Sequence, residues 1–241
     1  MNTKIPGRLR RNNFSRKRPM PKQPPKPNDS EPRRRARSKE AKALKRRSLL
    51  QAALDLFMAH GFQGTSIEMI TDKAGESTGT FYLYFKNKVD IYRTLTTEGY
   101  DILNERLKES VSWPGMNTMA KISAAIQAYY RFYREYPGHY RIISILHINQ
   151  PEFIEDRRQV ERLNRLAAGL LKFFAEIIQE GIDNNELNPV DPWKTTNAIW
   201  AMLDGLFLLE IRNDMAIPGL PLDDLLKQGL DILLQGLVRE S

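Results

Sequence analysis

Apolar residues recur three and four positions apart along most of this 241-residue chain, and strict alternation of apolar and polar residues is nowhere sustained. The pattern therefore predicts helices and no sheet. Nine are expected: Lys39 to His60, Ser66 to Lys73, Thr78 to Tyr84, Lys88 to about Ser110, Asn117 to Tyr136, Gly138 to Ile148, about Glu152 to Asp183, Pro192 to Arg212, and Leu222 to Arg239. Their limits fall at residues that interrupt helices, among them Gly61, Gly75, Trp113-Pro114-Gly115, Pro137-Gly138, Asn184-Asn185 and Pro218-Gly219-Leu220-Pro221. The expected fold class is all-α.

The stretch from Thr65 to Lys88 is the most specific. Thr65-Ser66-Ile67-Glu68 has the form of a capping box, with the Thr65 hydroxyl accepting from the Glu68 amide and Glu68 reaching back. Gly75 supplies the left-handed residue that closes this short helix, and Ser77 or Thr78 caps the next one. A turn of about three to four residues between two short helices is the layout of a helix-turn-helix unit, whose second helix enters the DNA major groove. In that second helix Phe81 and Phe85 are four apart and point inward against Leu56, Phe57, Ile67 and Ile70. Thr78, Gly79, Thr80, Tyr82, Leu83 and Tyr84 are left for the groove. Small residues let the backbone approach base edges, and Tyr hydroxyls reach phosphate oxygens. Asn87 caps the following helix and places the Lys88 amine near a phosphate.

Charge adds an N-terminal segment to this picture. Residues 1–38 hold thirteen Lys/Arg against Asp29 and Glu31, a balance of +11, so the other 203 residues sum to −3 although the whole chain carries +8. The same segment has seven of the fourteen prolines and few aliphatic residues, so it buries too little to offset chain entropy and reads as a disordered basic arm. Beside a DNA-reading head, Arg8, Arg10, Arg11, Arg16, Arg33 and Arg35 invite phosphate or minor-groove contact. A solvated tail, or an upstream start codon with Met20 as the alternative, accounts for it equally. The arm lacks the apolar stretch of a secretory signal, and no apolar run reaches the length of a membrane span; a cytoplasmic protein is expected. Without Cys there is neither a disulfide framework nor a thiolate metal site.

From about Leu49 to Leu95 the sequence resembles the TetR/AcrR family of bacterial repressors. The likeness is carried by Ala53-Leu54-Asp55-Leu56-Phe57, His60-Gly61-Phe62, Thr65 to Ile70, Ala74-Gly75, Ser77 and Gly79 to Lys88. It departs at Glu76, where the family has a small apolar residue, and at Thr71, where it has Ala; Glu76 would be repelled by phosphate unless it points away. The resemblance implies a homodimer of all-helical protomers whose paired heads bind a palindromic operator in double-stranded DNA, released by a small-molecule effector held in a divergent C-terminal domain. It implies DNA contacts at Thr65, Ser66, Thr78, Gly79, Thr80, Tyr82, Tyr84 and Lys88. The implied domains are the arm (1–38), a three-helix helix-turn-helix head (39–88) and a helical ligand-binding and dimerisation domain (89–241).

Within that last domain Tyr129, Tyr133, Tyr140, Ile143, His147, Phe173, Trp200 and Phe207 are candidates to line a cavity for a hydrophobic effector, an acyl chain being one possibility. The same residues are also sufficient to fill it. For the dimer, the last helix offers Leu222, Leu225, Leu226, Gly229, Leu230, Leu233, Gly236 and Leu237. Its predecessor offers Ala198, Ala201, Met202, Gly205, Leu208 and Leu209. The three His are isolated, and no nucleophile elbow or phosphate loop is present, so neither an enzyme nor a cofactor is expected. A helical small-molecule enzyme and an architectural nucleic-acid protein using its basic arm remain the competing classes.

Overall fold

The computed structural model describes residues 1–3, 30–144, 157–212 and 221–238, without the side chains of residues 30–38 and Gln159. Among them are nine helices: α1 (Ser30–His60), α2 (Ile67–Ala74), α3 (Thr78–Tyr84), α4 (Lys88–Ser110), α5 (Thr118–Glu135), α6 (Pro137–Ser144), α7 (Arg157–Asp183), α8 (Pro192–Arg212) and α9 (Leu222–Gln235). The described residues contain no strand; a single bridge pairs Leu187 with Val238. Residues 1–41 form one unit and residues 42–241 another.

The first helix begins at Ser30, nine residues before the expected Lys39. The run from Arg33 to Leu44 is dominated by Arg, Lys, Ala and Glu, all strong helix formers, and Pro32 occupies the first turn, where a missing N–H costs nothing. The helix thus includes residues 30–38, which the sequence assigns to the arm; residues 4–29 lie outside the described residues. So do the expected helix extensions over 145–148 and 152–156.

Two apolar cores lie within residues 42–241. One gathers Leu49, Ala53, Phe57, Phe62, Ile70, Phe81, Phe85, Ile91, Tyr92 and Leu95, and takes in Ile142 from α6. Phe57, Phe62 and Tyr92 meet as a ring triad with centroids 5.4–5.6 Å apart. The buried Tyr92 hydroxyl donates to the Ile142 carbonyl at 3.2 Å, so α4 and α6 are both fastened to the helix-turn-helix core. The second core holds α5, α7, α8 and α9 around Ile122, Tyr129, Phe132, Tyr140, Phe174, Ile178, Leu203 and Phe207. Leu222, Leu226 and Leu237 are buried in it. The expected dimer stripe of α9 therefore divides, these three leucines turning to their own protomer's core. Ala201, Gly205 and Leu209 of α8 and Ile232 of α9 stay exposed.

Helix α6 approaches both α4 and α1 closely. An added Cβ at Gly99 would lie 3.1 Å from Ile143 and 3.3 Å from His139, and one at Gly138 would lie 3.0 Å from Leu54. Beside these contacts opens a groove of ≈ 700 Å³ lined by Arg47, Asp55, Glu98, Glu135 and His139 among others. His139 Nε2 is buried there without a hydrogen-bond partner. Burial lowers its pKa below 6.5, and Glu98 opposes that shift. The folded state thus disfavours the imidazolium. Its contribution to stability is complete above pH 6.5 and falls as pH drops from there through the lowered folded value. His139→Leu is expected to flatten this part of the Tm-versus-pH profile and to raise Tm at mildly acidic pH, measurable by circular-dichroism melting.

Candidate functional site

The α2–α3 unit is assembled from local caps. Ser66 caps α2, its hydroxyl accepting from Met69 N at 3.2 Å. The expected capping box on Thr65 is therefore displaced by one residue. Thr65 is only 2 % exposed, and its hydroxyl donates to the Gly61 carbonyl at 2.8 Å, closing the turn after α1. The hydroxyl expected at the DNA is here engaged within the fold. Gly75 closes α2 at φ 68°, in the left-handed region that lets the chain double back. Ser77 then caps α3 by accepting from Thr80 N at 3.1 Å, and the Ser77 and Thr80 hydroxyls lie 3.0 Å apart.

The reading helix is held by one face and free on the other. Phe81 and Phe85 are buried in the head core with ring centroids 5.6 Å apart, while Tyr82 is 57 % and Leu83 80 % exposed. Gly79 is exposed, and Ser66, Thr78, Thr80 and Tyr84 are half-buried. An apolar side chain as exposed as Leu83, between two Tyr on a seven-residue helix, gains nothing from the fold and suits contact with a partner. Glu76 points away from this face. Lys45 Nζ of α1 donates to its carboxylate at 2.6 Å, which answers the repulsion expected in the turn. Thr71, the other departure, is buried and donates to the Glu68 carbonyl at 3.0 Å.

Lys88 does something the sequence did not reveal. Asn87 caps α4 as expected, accepting from Asp90 N at 2.9 Å. The Lys88 ammonium, however, donates to the carbonyls of Phe62 and Thr65, each at 2.7 Å, and lies 4.4 Å from the centre of the Phe62 ring. It thus satisfies carbonyls left open after α1 and ties the start of α4 to the start of α2. In this structure the ammonium expected at a phosphate is engaged within the fold.

Behind the head, five of the eight expected ligand residues come together, and Ile143 and Phe173 lie apart from them. Tyr133 stacks on Phe207 with centroids 4.4 Å apart and an interplanar angle of 4°, Tyr129 stacks on Trp200 at 4.1 Å, and Tyr140 packs against Tyr129, Tyr133 and Phe207. The space bounded by Tyr129, Phe174, Thr196, Ile199 and Trp200 admits no water. The aromatic set is stacked closely enough to fill the core instead of lining an open cavity. Ile143 packs over Gly99, Phe173 lines a separate groove between α4 and α7, and His147 lies outside the described residues.

The residue that composition gave no reason to choose is Asp204. Its carboxylate accepts from the Tyr129 hydroxyl at 2.5 Å and the Tyr140 hydroxyl at 3.1 Å, and from the Trp200 side chain. Burial raises its pKa, and these three donors offset part of the rise. Burial, with Asp204 second, also pushes the Tyr129 and Tyr140 hydroxyls up. A parallel set ties α5 to α8 and α9: Tyr133 donates to Glu210, Tyr130 donates to Asp223, and Arg134 pairs with Glu210 at 3.2 Å. The only sequence signal for Asp204 and Glu210 was that both interrupt the apolar run of α8. Among the described residues, no group of His, Cys, Asp and Glu could hold a metal ion, and no helix is long and apolar enough to cross a membrane.

This arrangement has known relatives. Residues 49–95 match the family described as bacterial regulatory proteins, tetR family, and residues 122–233 match the tetracyclin repressor-like C-terminal domain. The chain is 24% identical over 167 residues to the fatty acid metabolism regulator protein of Bacillus subtilis (strain 168), covering 69% of this chain and 83% of that one. In fold it is similar to the fatty acid degradation regulator FadR of Bacillus halodurans (TM-score 0.68, 20% identity, 81% of this chain and 97% of that one). It is also similar to the transcriptional regulator FadR of Bacillus subtilis, solved in complex with stearoyl-CoA (TM-score 0.66, 22% identity, 78% and 97%). With a capped helix-turn-helix head and a helical C-terminal domain each matching in register, the chain belongs to the TetR family of bacterial transcriptional regulators.

Proposed function

We propose that the protein is a homodimeric, effector-released repressor that reads a palindromic operator with α3 and works in the cytoplasm beside its DNA. One observation carries the assignment of the reading face: α3 and its C-cap bury Phe81 and Phe85 and leave Gly79, Tyr82 and Leu83 exposed. Half-buried Ser66, Thr78, Thr80 and Tyr84 flank that surface. Residues 39–88 supply the head and residues 89–241 the effector and dimer functions, with the exposed residues of α8 and α9 facing the second copy. In the dimer the two α3 helices sit about 34–36 Å apart, one turn of DNA. An apolar effector bound behind α4 shifts the population toward a spacing that no longer fits; full release takes about 5.5 kcal/mol of differential affinity.

Fluorescence anisotropy with duplexes from beside the protein's own gene tests this. Sequence-specific retention is the expected result; uniform retention means an architectural protein, and no retention overturns the reading. Tyr82→Ala and Tyr84→Ala should weaken binding to every sequence, whereas changes at Thr78 or Thr80 should shift base preference by about 1–3 kcal/mol. Lys88→Met separates tie from contact. As an internal tie its loss lowers Tm and weakens binding while the salt dependence keeps its slope; a phosphate contact would instead reduce the slope by about 0.9.

A further inference from the structure

Asp204 is a half-buried carboxylate set among aromatic side chains without a counter-ion. Among the described residues no Lys, Arg or His pairs with it; its partners are the Tyr129 and Tyr140 hydroxyls and the Trp200 side chain. One and two turns before it on the same face of α8 lie Trp200 and Thr196. The Thr196 hydroxyl is buried without a partner, 1 % exposed, in the tight space beside Tyr129 and Trp200. Tyr100 of α4, half-buried, makes no hydrogen bond among the described residues and lies within the field of Asp204. Buried polar groups are ordinarily satisfied, and a charge drawn away from water is ordinarily paired. The idle Thr196 hydroxyl, buried one helical turn from Trp200, and the half-buried Asp204 carboxylate without a counter-ion are therefore groups that a ligand could partner.

Tyr100 also marks the way in. It lines a groove of ≈ 340 Å³ between α4 and α7 with Asn104, Lys108, Leu166, Leu170 and Phe173. Gly169, an exposed residue lining this groove, stands inside a 27-residue helix, where Gly is the least favoured residue after Pro. An added Cβ there would meet nothing within 4 Å, so packing in this structure gives no reason for the glycine. Its missing side chain keeps the groove open to a slender apolar body. Lys172 is already paired with Glu176 at 3.6 Å, and the remaining charged lining residues, Asp101 and Lys108, are opposite in sign, so the lining carries no net charge to select the outer end of a ligand.

The geometry points to an organic cation as the effector: an amine with one slender apolar body, lying in the α4–α7 groove over Gly169, with its ammonium received by Asp204 among Tyr129, Tyr140 and Trp200. This rests on the reading of the protein as an effector-gated regulator and names the chemistry of the effector. Aromatic faces around a carboxylate attract an ammonium, and desolvation strengthens the attraction. A ligand carboxylate in the same place would meet a like charge, and the tyrosine hydroxyls that would stabilise it are already given to Asp204. Trp200, half-exposed and stacked on Tyr129, is the wall that must yield.

Calorimetric titration of the full chain with decyltrimethylammonium, decanoate and decanoyl-CoA decides the matter. Decyltrimethylammonium is expected to bind tighter than either decanoyl compound by about tenfold or more. Asp204→Asn should erase that preference, Asp204→Glu should retain it, and Gly169→Leu should weaken the cation by about tenfold; melting curves monitor the fold of each variant. Equal binding of the three probes by the unmodified chain overturns the proposal even if a variant fails to fold, and so does an undiminished preference in Asp204→Asn. If decanoyl-CoA alone binds and releases DNA, the cation site is wrong and the regulator reading stands. If the chain retains no DNA, the regulator reading fails while the probe ranking still judges the site.

Discussion

Replacing Phe81 by Ala is expected to cost about 3–5 kcal/mol of stability and to abolish sequence-specific DNA binding. Phe81 has no exposed surface, and its ring touches those of Tyr82 and Phe85 at 5.5 and 5.6 Å. Helix α3 has only seven residues, against the roughly 12–15 an isolated helix needs to persist in water. Its conformation is therefore supplied by what it packs on, and Phe81 is the central anchor. Since whole domains are stable by only about 5–15 kcal/mol, losing this ring removes a large part of what keeps the head folded. Urea unfolding and DNA anisotropy on the same preparation check the two halves of the prediction. Tyr82→Ala, one position on and mostly exposed, should change stability by less than about 0.5 kcal/mol while still weakening DNA binding. Equal stability losses at 81 and 82 would contradict the two-faced description of α3.

The second large effect is expected at Gly181. A Cβ there would fall 2.4 Å from Thr118 Cγ2 and 2.8 Å from Leu187 Cδ1, and both of those residues are buried, with little space to yield. Three segments meet at this point. The Gly181 carbonyl accepts from Glu186 N at 2.8 Å and Leu187 N at 3.1 Å, and Glu186 in turn accepts from Thr118 N at 2.7 Å where α5 begins. Asn185 makes the bend at φ 59°, a left-handed conformation that Asn tolerates. Gly181→Val should destabilise by about 3 kcal/mol and Gly181→Ala by less, a gradation that reports overpacking. Because the strain falls where α5 starts, it should also loosen the aromatic core, seen as lost near-ultraviolet circular dichroism from its Tyr and Trp residues.

What could be read from the sequence was whatever neighbouring residues decide among themselves. The limits of α3 and α8, the left-handed Gly75 and the caps at Ser77 and Asn87 all depend on chemistry within a few positions, and the structure has them as expected. The cap of α2 went to Ser66 because Thr65, equally able to cap, is claimed by Gly61 from the preceding turn. At the start of α1, charge and proline content point to an arm, while the Arg, Lys, Ala and Glu after Pro32 favour the helix that begins at Ser30. The role of Lys88 depends on carbonyls 23 and 26 residues away. Asp204 was visible as an interruption in an apolar stripe. Its partners lie 75 and 64 residues earlier, and only the packing of α5 and α6 on α8 makes that interruption a site.

Helix α6 is short, eight residues, and wedged with almost no clearance between Gly99 on one side and Leu54 on the other. Glycine removes the side chains that would otherwise act as a cushion. A cushioned joint absorbs a small push, whereas backbone seated against a neighbour passes it on. Tyr140, which reaches Asp204, is part of this same helix, as is Ile142, which is built into the head core. A sub-ångström adjustment around the acid therefore has a stiff lever, two residues long, to the helices that grip DNA.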